Sequence, residues 1–456
     1  MSSVRSRSSR YEIDMVHGPI MPKLFSFFIP LFLSGILQLL FNAIDIIVVG
    51  RFSGSDALAA VGATTSLINM LINLFMGISL GSNVLVARYR AAGDHKALEE
   101  VVHTAVTVAL ASGILMVIVG QLVSRLCLTA MDTPASIIDQ STLYMRIYFC
   151  GMPFLMLYNF CASILRGIGD TKRPMIFLII SGICNAVLNL ILVIVFKMGV
   201  AGVAIATVFA QFISACLVLR ILLTTEEAYR IRLKQLRINR RYLIKTLQIG
   251  IPAGIQTLII NFSNVLLQSS VNSFGPLAMA GYTAANSIFS FIFMYVDSIS
   301  QACMNFTSQN YGAHQKKRLD ITFRDCVILE IVFGLIIGSL VMFFGKPLLR
   351  IYTPDETAIG FGMQILSVTV MMYFICGLMN VVPAAMRGLG SAALPMILTL
   401  IGTVGTRIVW IFCFFPHRRT LDYLFWSYPL SWIIAFILQL CFYLRVRRKV
   451  YATIPD

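Results

Sequence analysis

Charged side chains are scarce in this sequence. Asp, Glu, Lys and Arg make up 12% of its 456 residues, against about 25% in an average soluble domain. The five histidines stand singly, and the ten cysteines include no CxxC pair. We therefore expect neither a metal-ligand cluster nor a disulfide framework, and we interpret the cysteines as small apolar side chains. The charge present is too little for the surface of an ordinary soluble protein of this length.

Long apolar runs take the place of the missing charge. Hydrophobic residues form 58% of the chain and come in runs of about 20 residues, the length at which a helix crosses the ~30 Å hydrocarbon core of a bilayer. The expected fold class is an all-α membrane protein with twelve transmembrane helices. The candidate spans lie near 24–50, 56–86, 101–124, 140–163, 174–196, 199–221, 246–272, 277–306, 323–345, 360–385, 395–415 and 423–444.

Basic residues indicate which side of the membrane each loop faces. With the N-terminus inside, the inner loops and tails hold 27 of the Lys and Arg residues and the outer loops hold 7. Because inner loops carry such an excess, both termini are expected to be cytoplasmic, in a multi-pass protein of the cell (inner) membrane. The net charge of +16 then reflects basic loops beside an anionic leaflet, and no nucleic-acid partner is predicted.

One loop occurs twice in the sequence. RGIGDTKRPM (166–175) returns as RGLGSAALPM (387–396), with Arg, Gly, Gly, Pro and Met each 221 positions later. ARYRAAGDHKAL (87–98) and SQNYGAHQKKRL (308–319) resemble each other at the same offset. Six spans thus match six spans, and since six is even, both halves enter the membrane in one orientation, as in parallel transporter repeats. Arg166 and Arg387 are interpreted as anchors at the inner interface or as parts of an inner gate.

The repeat predicts the domain organisation. Two six-helix bundles of like orientation suggest a V-shaped molecule with a central cavity that opens alternately to each side, as in many secondary transporters. The expected parts are a cytoplasmic tail at 1–23, an N-lobe with helices 1–6 at 24–221, a basic cytoplasmic linker at 222–245, a C-lobe with helices 7–12 at 246–444 and a second cytoplasmic tail at 445–456.

Several stretches together resemble the multidrug and toxic compound extrusion (MATE) family, within a superfamily that also holds polysaccharide and lipid-intermediate exporters. They are NAIDIIVVGRFSGSDALAAVGATTSL (42–67), SNVLVARYRAAGD (82–94), ILRGIGDTKRPM (164–175), NAVLNLILVIVFKMGVAGVAIAT (185–207) and MRGLGSAALPM (386–396). They cover both halves. The resemblance implies a twelve-helix exporter that exchanges a cytoplasmic compound for Na⁺ or H⁺.

Polar residues within the first-half spans are the first candidates for function. An Asp at the centre of a membrane helix costs at least about 2.5–3.5 kcal/mol on insertion scales, so Asp45 is expected to have a role. The family's N-lobe cation site combines a first-span Asp, two polar residues of the fifth span and a sixth-span Thr. The resemblance places that role on Asp45, Asn185, Asn189 and Thr207. Some relatives carry Asp at the position of Asn189, which leaves the ion open between Na⁺ and H⁺.

Plainer interpretations of these residues remain. Asn185 and Asn189 are four residues apart and share a helical face, where they could simply join helices by hydrogen bonds. Asp45 could be hydrated near the outer mouth.

The second half carries a different polar set. Asn286, Ser290, Asp297, Gln301 and Asn305 form one stripe on the eighth span. Asp297 is either a structural ion-pair partner of Arg407 or a binder of substrate or protons. The residues expected to line a substrate cavity or second polar site are Asn42, Asn261, Asn264, Gln268, Asp297, Gln301 and Arg407. The seventh and tenth spans lack the acids that one branch of the family uses, so that site is not transferred, and Glu330 is expected to snorkel or pair locally.

The expected function is secondary active antiport, which exports drugs or organic cations from the cytoplasm in exchange for Na⁺ or H⁺ by alternating access. The alternative is a flippase for a lipid-linked or polysaccharide intermediate, although such a cavity would need several Lys and Arg. An enzyme is not expected, because no paired carboxylates, histidine set or Ser/His pair stands near a membrane face. The expected partners are a small-molecule substrate and the lipid bilayer, with no cofactor beyond the coupling ion and a monomeric assembly.

Overall fold

The computed structural model describes residues 11–454. Within that range the chain is helical and contains no β-strand. The first half holds α1 (Ile20–Phe52), α2 (Ser55–Ala91), α3 (His95–Ala130), α4 (Ile138–Cys150), α5 (Met152–Gly167), α6 (Lys172–Leu190) and α7 (Gly199–Thr224).

The second half repeats this order with more breaks. It holds α8 (Arg240–Asn272), α9 (Pro276–Gly312), α10 (Lys316–Arg350), α11 (Glu356–Thr369), α12 (Tyr373–Gly388), α13 (Ala393–Thr399), α14 (Thr406–Val409), α15 (Leu421–Phe425) and α16 (Ser427–Thr453). The fifth span of each half contains π-helical segments, one in the first half at Ile191–Val195 and two in the second at Leu400–Gly405 and Trp410–Phe414.

The number of membrane spans agrees with the sequence. Among the described residues, eleven helices are long and apolar enough to cross a bilayer, and α4 with α5 forms a further span bent by 47°. Counting that bent pair as one span gives twelve, which confirms the expected all-α fold class. The bend lies at Gly151, two residues before Pro153 in the first turn of α5. The N–H groups of a first helical turn have no partner within the helix, so proline costs no hydrogen bond there.

The duplicated loop has the same conformation in both halves. Gly169 and Gly390 both have positive φ, at 101° and 95°, a region that glycine enters without a Cβ clash. In each loop the next residue donates its backbone N–H back to the preceding helix, from Asp170 to Leu165 and from Ser391 to Met386. The recurring glycine is therefore explained by one tight helix ending, built twice.

Residues pack into two compact units that divide inside helices. One unit comprises the segment ending at Asp14 with Leu33–Gly254, and the other comprises Met15–Phe32 with the chain from Ile255 onward. Both divisions inside a helix fall two residues after a proline, Pro30 in α1 and Pro252 in α8. A proline inside a helix removes one backbone hydrogen bond, so each helix can bend more easily at that point. Lobe boundaries at the linker 222–245 remain a prediction from the repeat.

Helices α2 and α8 approach closely within the first unit. A Cβ added to Gly77 would lie 2.5 Å from the backbone nitrogen of Gly254, and one added to Gly250 would lie 2.5 Å from Cα of Ile78. Small residues let membrane helices approach to backbone contact, which gains dispersion energy where apolar burial supplies none.

Candidate functional site

A chain of hydrogen bonds joins three helices of the first half. The Nδ2 of Asn189 on α6 donates to the Asp45 carboxylate on α1. The same nitrogen lies 3.1 Å from Oδ1 of Asn185, and Nδ2 of Asn185 donates to Oγ1 of Thr207 on α7 over 3.3 Å. All four residues that the sequence predicts for the cation site are therefore brought together.

The local sequence explains this geometry. Asn185 and Asn189 lie four positions apart, which puts both amides on the face of α6 that packs against α7. Asn189 is fully buried. The α-helix ends one residue later, and a π-helical segment follows from Ile191 to Val195. Such π-helical turns are frequently found at functional sites.

The cluster keeps buried oxygen atoms available. Oδ1 of Asn189 has no hydrogen-bond partner within residues 11–454, and the Asp45 carboxylate also lies within hydrogen-bonding reach of Thr207. Carboxylate, amide and hydroxyl oxygens are the ligands that hard cations prefer. The arrangement can hold a proton on Asp45 or a small cation among these oxygens.

Sequence reasoning missed an aromatic wall beside this cluster. Tyr144 and Tyr148 on α4 both lie near enough to Asp45 to interact with its charge. Tyr148 also hydrogen-bonds Gln211, one turn after Thr207 on α7. The sequence did contain a signal for it, because Tyr144 and Tyr148, and likewise Thr207 and Gln211, are four residues apart and so share a helix face. Asn42, one turn before Asp45, is exposed and lies outside the hydrogen-bonded chain.

Arg407 does not pair with Asp297, which corrects the expected ion pair. Its guanidinium donates to Asn264 at 2.9 Å and Ser263 at 3.3 Å on α8, and to Ser431 at 3.2 Å on α16. It also lies 4.1 Å from the ring centroid of Tyr428. Its guanidinium is thus surrounded by hydroxyl, amide and aromatic groups.

The remaining second-half candidates are dispersed. The Asp297 carboxylate accepts a hydrogen bond from Nε2 of Gln301, one turn later on α9, at 2.6 Å. Asn264 belongs to the surroundings of Arg407, whereas Asn261 and Gln268 are exposed on α8. The structure thus divides the predicted second polar site into a cationic group around Arg407 and an acidic group on α9.

The position of Glu330 differs from the prediction that it would snorkel to the membrane surface or pair locally. Its side chain on α10 is completely buried. Neither of its carboxylate oxygens has a hydrogen-bond partner in the described part of the chain. Helices α9 and α12 cover this face of α10, so the side chain cannot reach the membrane surface.

A family model described as MatE matches the chain twice, over residues 30–191 and 252–413. These stretches make up more than half of the chain and place the same unit in both halves. Among curated proteins, the chain is 29% identical over 437 residues to "Probable multidrug resistance protein YoeA" of Bacillus subtilis, with 94% of each chain covered.

Solved structures share the fold across nearly the whole length. One, described as the outward-facing conformation of a multidrug resistance MATE family transporter, has a TM-score of 0.89 and 20% identity and covers 96% of this chain and 98% of its own. Another, a transporter from Pyrococcus furiosus whose binding pocket has reverse polarity, has a TM-score of 0.88 and 21% identity, with 97% and 98% covered. With the double family match, the chain belongs to the multidrug and toxic compound extrusion (MATE) family.

Proposed function

We propose that this protein is a secondary antiporter that exports drugs or lipophilic organic cations from the cytoplasm in exchange for H⁺ or Na⁺. The observation that supports this most is the chain from Asp45 through Asn189 and Asn185 to Thr207. It brings one carboxylate close to neutral amide and hydroxyl oxygens that could bind a cation, within the apolar part of the membrane spans. The curated relative named above is itself called a multidrug resistance protein.

Cation binding at Asp45 acts on the helix contacts of the first unit. Without a bound proton or cation, the carboxylate holds α1 to α6 through the Asn189 amide. A proton on the carboxyl weakens that charge-assisted bond, and a cation competes with the amide donor for the same oxygens. Either event changes how the part of α1 after Pro30 packs. The ion drives transport to the extent that it binds one conformation more tightly than the other.

In the proposed orientation the protein crosses the inner membrane of the cell and has both termini in the cytoplasm. This orientation places the loops rich in basic residues on the cytoplasmic side. Substrate contacts are assigned to exposed polar side chains on the spans, including Asn42, Asn261 and Gln268. Met and Phe, of which the chain has 22 and 32, supply adaptable apolar contacts for varied drug-like molecules. A single chain suffices for this mechanism.

The test is efflux of ethidium, a lipophilic cation, from proteoliposomes under an imposed H⁺ or Na⁺ gradient. Wild type is expected to transport under one of the two gradients. The gradient-driven rate of Asp45→Asn should fall at least about tenfold, because its neutral amide replaces the negatively charged carboxylate that would bind H⁺ or Na⁺. Asp139→Asn is the matched control, because that acid pairs with Arg125 at an exposed position. Full coupled transport by Asp45→Asn would remove Asp45 from the mechanism.

The second candidate is a flippase for a lipid-linked or polysaccharide intermediate. It is favoured by Arg407, a buried cation whose hydrogen-bond partners in the described chain are uncharged. Such a protein would leave ethidium in the vesicles under both gradients and move a fluorescent lipid pyrophosphate instead. Arg407→Gln would reduce that movement.

A further inference from the structure

Glu330 is a buried acid that the Asp45 mechanism does not use. It lies in the middle of α10 with no exposed surface, and its two carboxylate oxygens lack hydrogen-bond partners in the described chain. An ionised carboxylate in such surroundings would cost far more than the few kcal/mol that a protein fold can spare. The carboxyl group is therefore held as the neutral acid in this conformation.

No cationic side chain in the described part of the chain forms an ion pair with Glu330. From α9, the titratable groups that face it are Tyr295, Asp297 and Cys303, and from α12 Cys376. Asp325 and Cys326 lie on α10 itself. The first part of α1 contributes Phe25 and Phe28, which pack on Phe333. Arg387 on α12 interacts with Asp297 and Cys303, and Arg324 pairs with Asp325 at 2.9 Å. Neither arginine forms an ion pair with Glu330 in the described structure.

Two glycines make room for the polar atoms of this site. A Cβ on Gly377 of α12 would collide with Oε2 of Glu330. A Cβ on Gly334, one turn after Glu330, would lie 2.9 Å from the hydroxyl oxygen of Tyr295. That hydroxyl is also buried without a hydrogen-bond partner in the described chain. A carboxyl and a phenol are thus both placed in an apolar helix interface shaped to accept them.

The chemistry of these surroundings selects a proton over a metal ion. Na⁺ needs several oxygen ligands gathered around it, as other hard cations do. Neither carboxylate oxygen of Glu330 has a hydrogen-bond partner in the described chain, and thiols are among the groups that face it. The helix backbone at Gly377 also packs directly on one carboxylate oxygen. A proton needs only the carboxylate itself.

We propose that Glu330 is a proton-binding site of the second half, occupied in the described conformation and emptied when water reaches it between α9, α10 and α12. On release, the O–H bond of the carboxyl group breaks, the proton passes to water and the carboxylate remains. This extends the proposed exporter by a proton site in the other half, although binding at Glu330 does not require Asp45.

The experiment uses the full-length protein in lipid nanodiscs and needs no transport substrate. The infrared spectrum of wild type minus that of Glu330→Gln should contain the carbonyl band of a protonated carboxyl group, which shifts slowly on transfer to D₂O because the site is closed to water. After a jump from acidic to alkaline pH, wild type should release one proton per chain more than Glu330→Gln, in a slow phase. Glu356→Gln is the matched control, since that acid is exposed and pairs with Arg350 at 2.6 Å.

Either of two results would overturn the proposal. One is the absence of the carbonyl band, which would mean that Glu330 is ionised. The other is equal proton release by wild type and Glu330→Gln, which would mean that the acid is a static part of the core. If Glu330→Gln does not fold, Glu330→Asp tests the same points, because it keeps the carboxyl group and should shift the band. A failed Asp45 experiment would leave both readouts unchanged, so the two proposals can fail separately.

Discussion

At the scale of single residues, Arg407 is a buried cation whose direct contacts are uncharged. Its fixed fork of N–H donors meets Ser263 and Asn264 on one helix and Ser431 on another. A lysine could not reproduce these directions, because it presents a single rotating ammonium group. Arg407 therefore links α8 to α16 through the directions of its hydrogen bonds, and replacing it leaves three partners without that bond.

Arg407 hydrogen-bonds Ser263, Asn264 and Ser431, whereas the Asp297 carboxylate accepts from Gln301 on α9. We therefore predict that substitutions of Arg407 and Asp297 act independently. The losses in free energy of unfolding caused by Arg407→Gln and Asp297→Asn should add within about 0.5 kcal/mol in the double variant. Arg407→Gln alone should cost about 1–3 kcal/mol, since it leaves buried acceptors unpaired. Unfolding in mixed micelles, followed by tryptophan fluorescence, measures all three. A double variant clearly more stable than this sum would show that the two charges interact directly.

The residues found from sequence and those missed differ in kind. The meeting of Asp45, Asn185, Asn189 and Thr207 could be predicted because polar groups inside membrane helices are rare and the family resemblance relates these positions, while their role stays a prediction. The partners of Arg407 could not, because helical spacing places residues on one helix face but does not specify which neighbouring helix lies opposite. Glu330 was misjudged for the same reason, since its burial depends on how α9 and α12 cover α10.

At the scale of helices, the spans themselves were predictable and their irregularities were not. A run of about 20 apolar residues identifies a span, but the π-helical turns at Ile191–Val195 and at the nearly equivalent Trp410–Phe414 leave the hydrophobic pattern unchanged. They occupy the fifth span of both halves, so the irregularity belongs to the repeated unit. In the first half, it begins two residues after Asn189, a member of the proposed cation site.

The contact of α2 with α8 yields the second prediction. Gly77→Ala adds a Cβ that would sit 2.5 Å from the backbone nitrogen of Gly254, so the helices must separate, at a cost of about 1–3 kcal/mol. Gly62→Ala on the same helix is the control, because nothing lies within 4 Å of its added Cβ. Thermal unfolding of the purified variants should show a lower Tm for Gly77→Ala only. An equal change in Tm in both variants would indicate that helix propensity, and not the contact between α2 and α8, determines the effect of the substitution.

At the scale of the whole molecule, the two halves share a scaffold but differ in their charged interior groups. The loops around Gly169 and Gly390 have the same backbone conformation, and the family model matches both halves. Asp45 has no acidic counterpart near 266–267, and Glu330 stands where the first half has Ala109. The repeat thus supplies the framework, while the acids to which we assign ion binding differ between the two halves.

The division of the chain inside α8 leads to the last prediction. The first part of α8, up to Gly254, belongs to the compact unit of the first half, where Gly250 packs on α2. A fragment of residues 239–456 made alone would expose that glycine-lined surface to lipid and lose its packing. It should therefore be degraded or aggregate, while coexpression with residues 1–238 restores a stable complex. Copurification and thermal unfolding of the complex measure this. A second-half fragment as stable alone as in the complex would mean that the packing of α8 on α2 contributes little to stability.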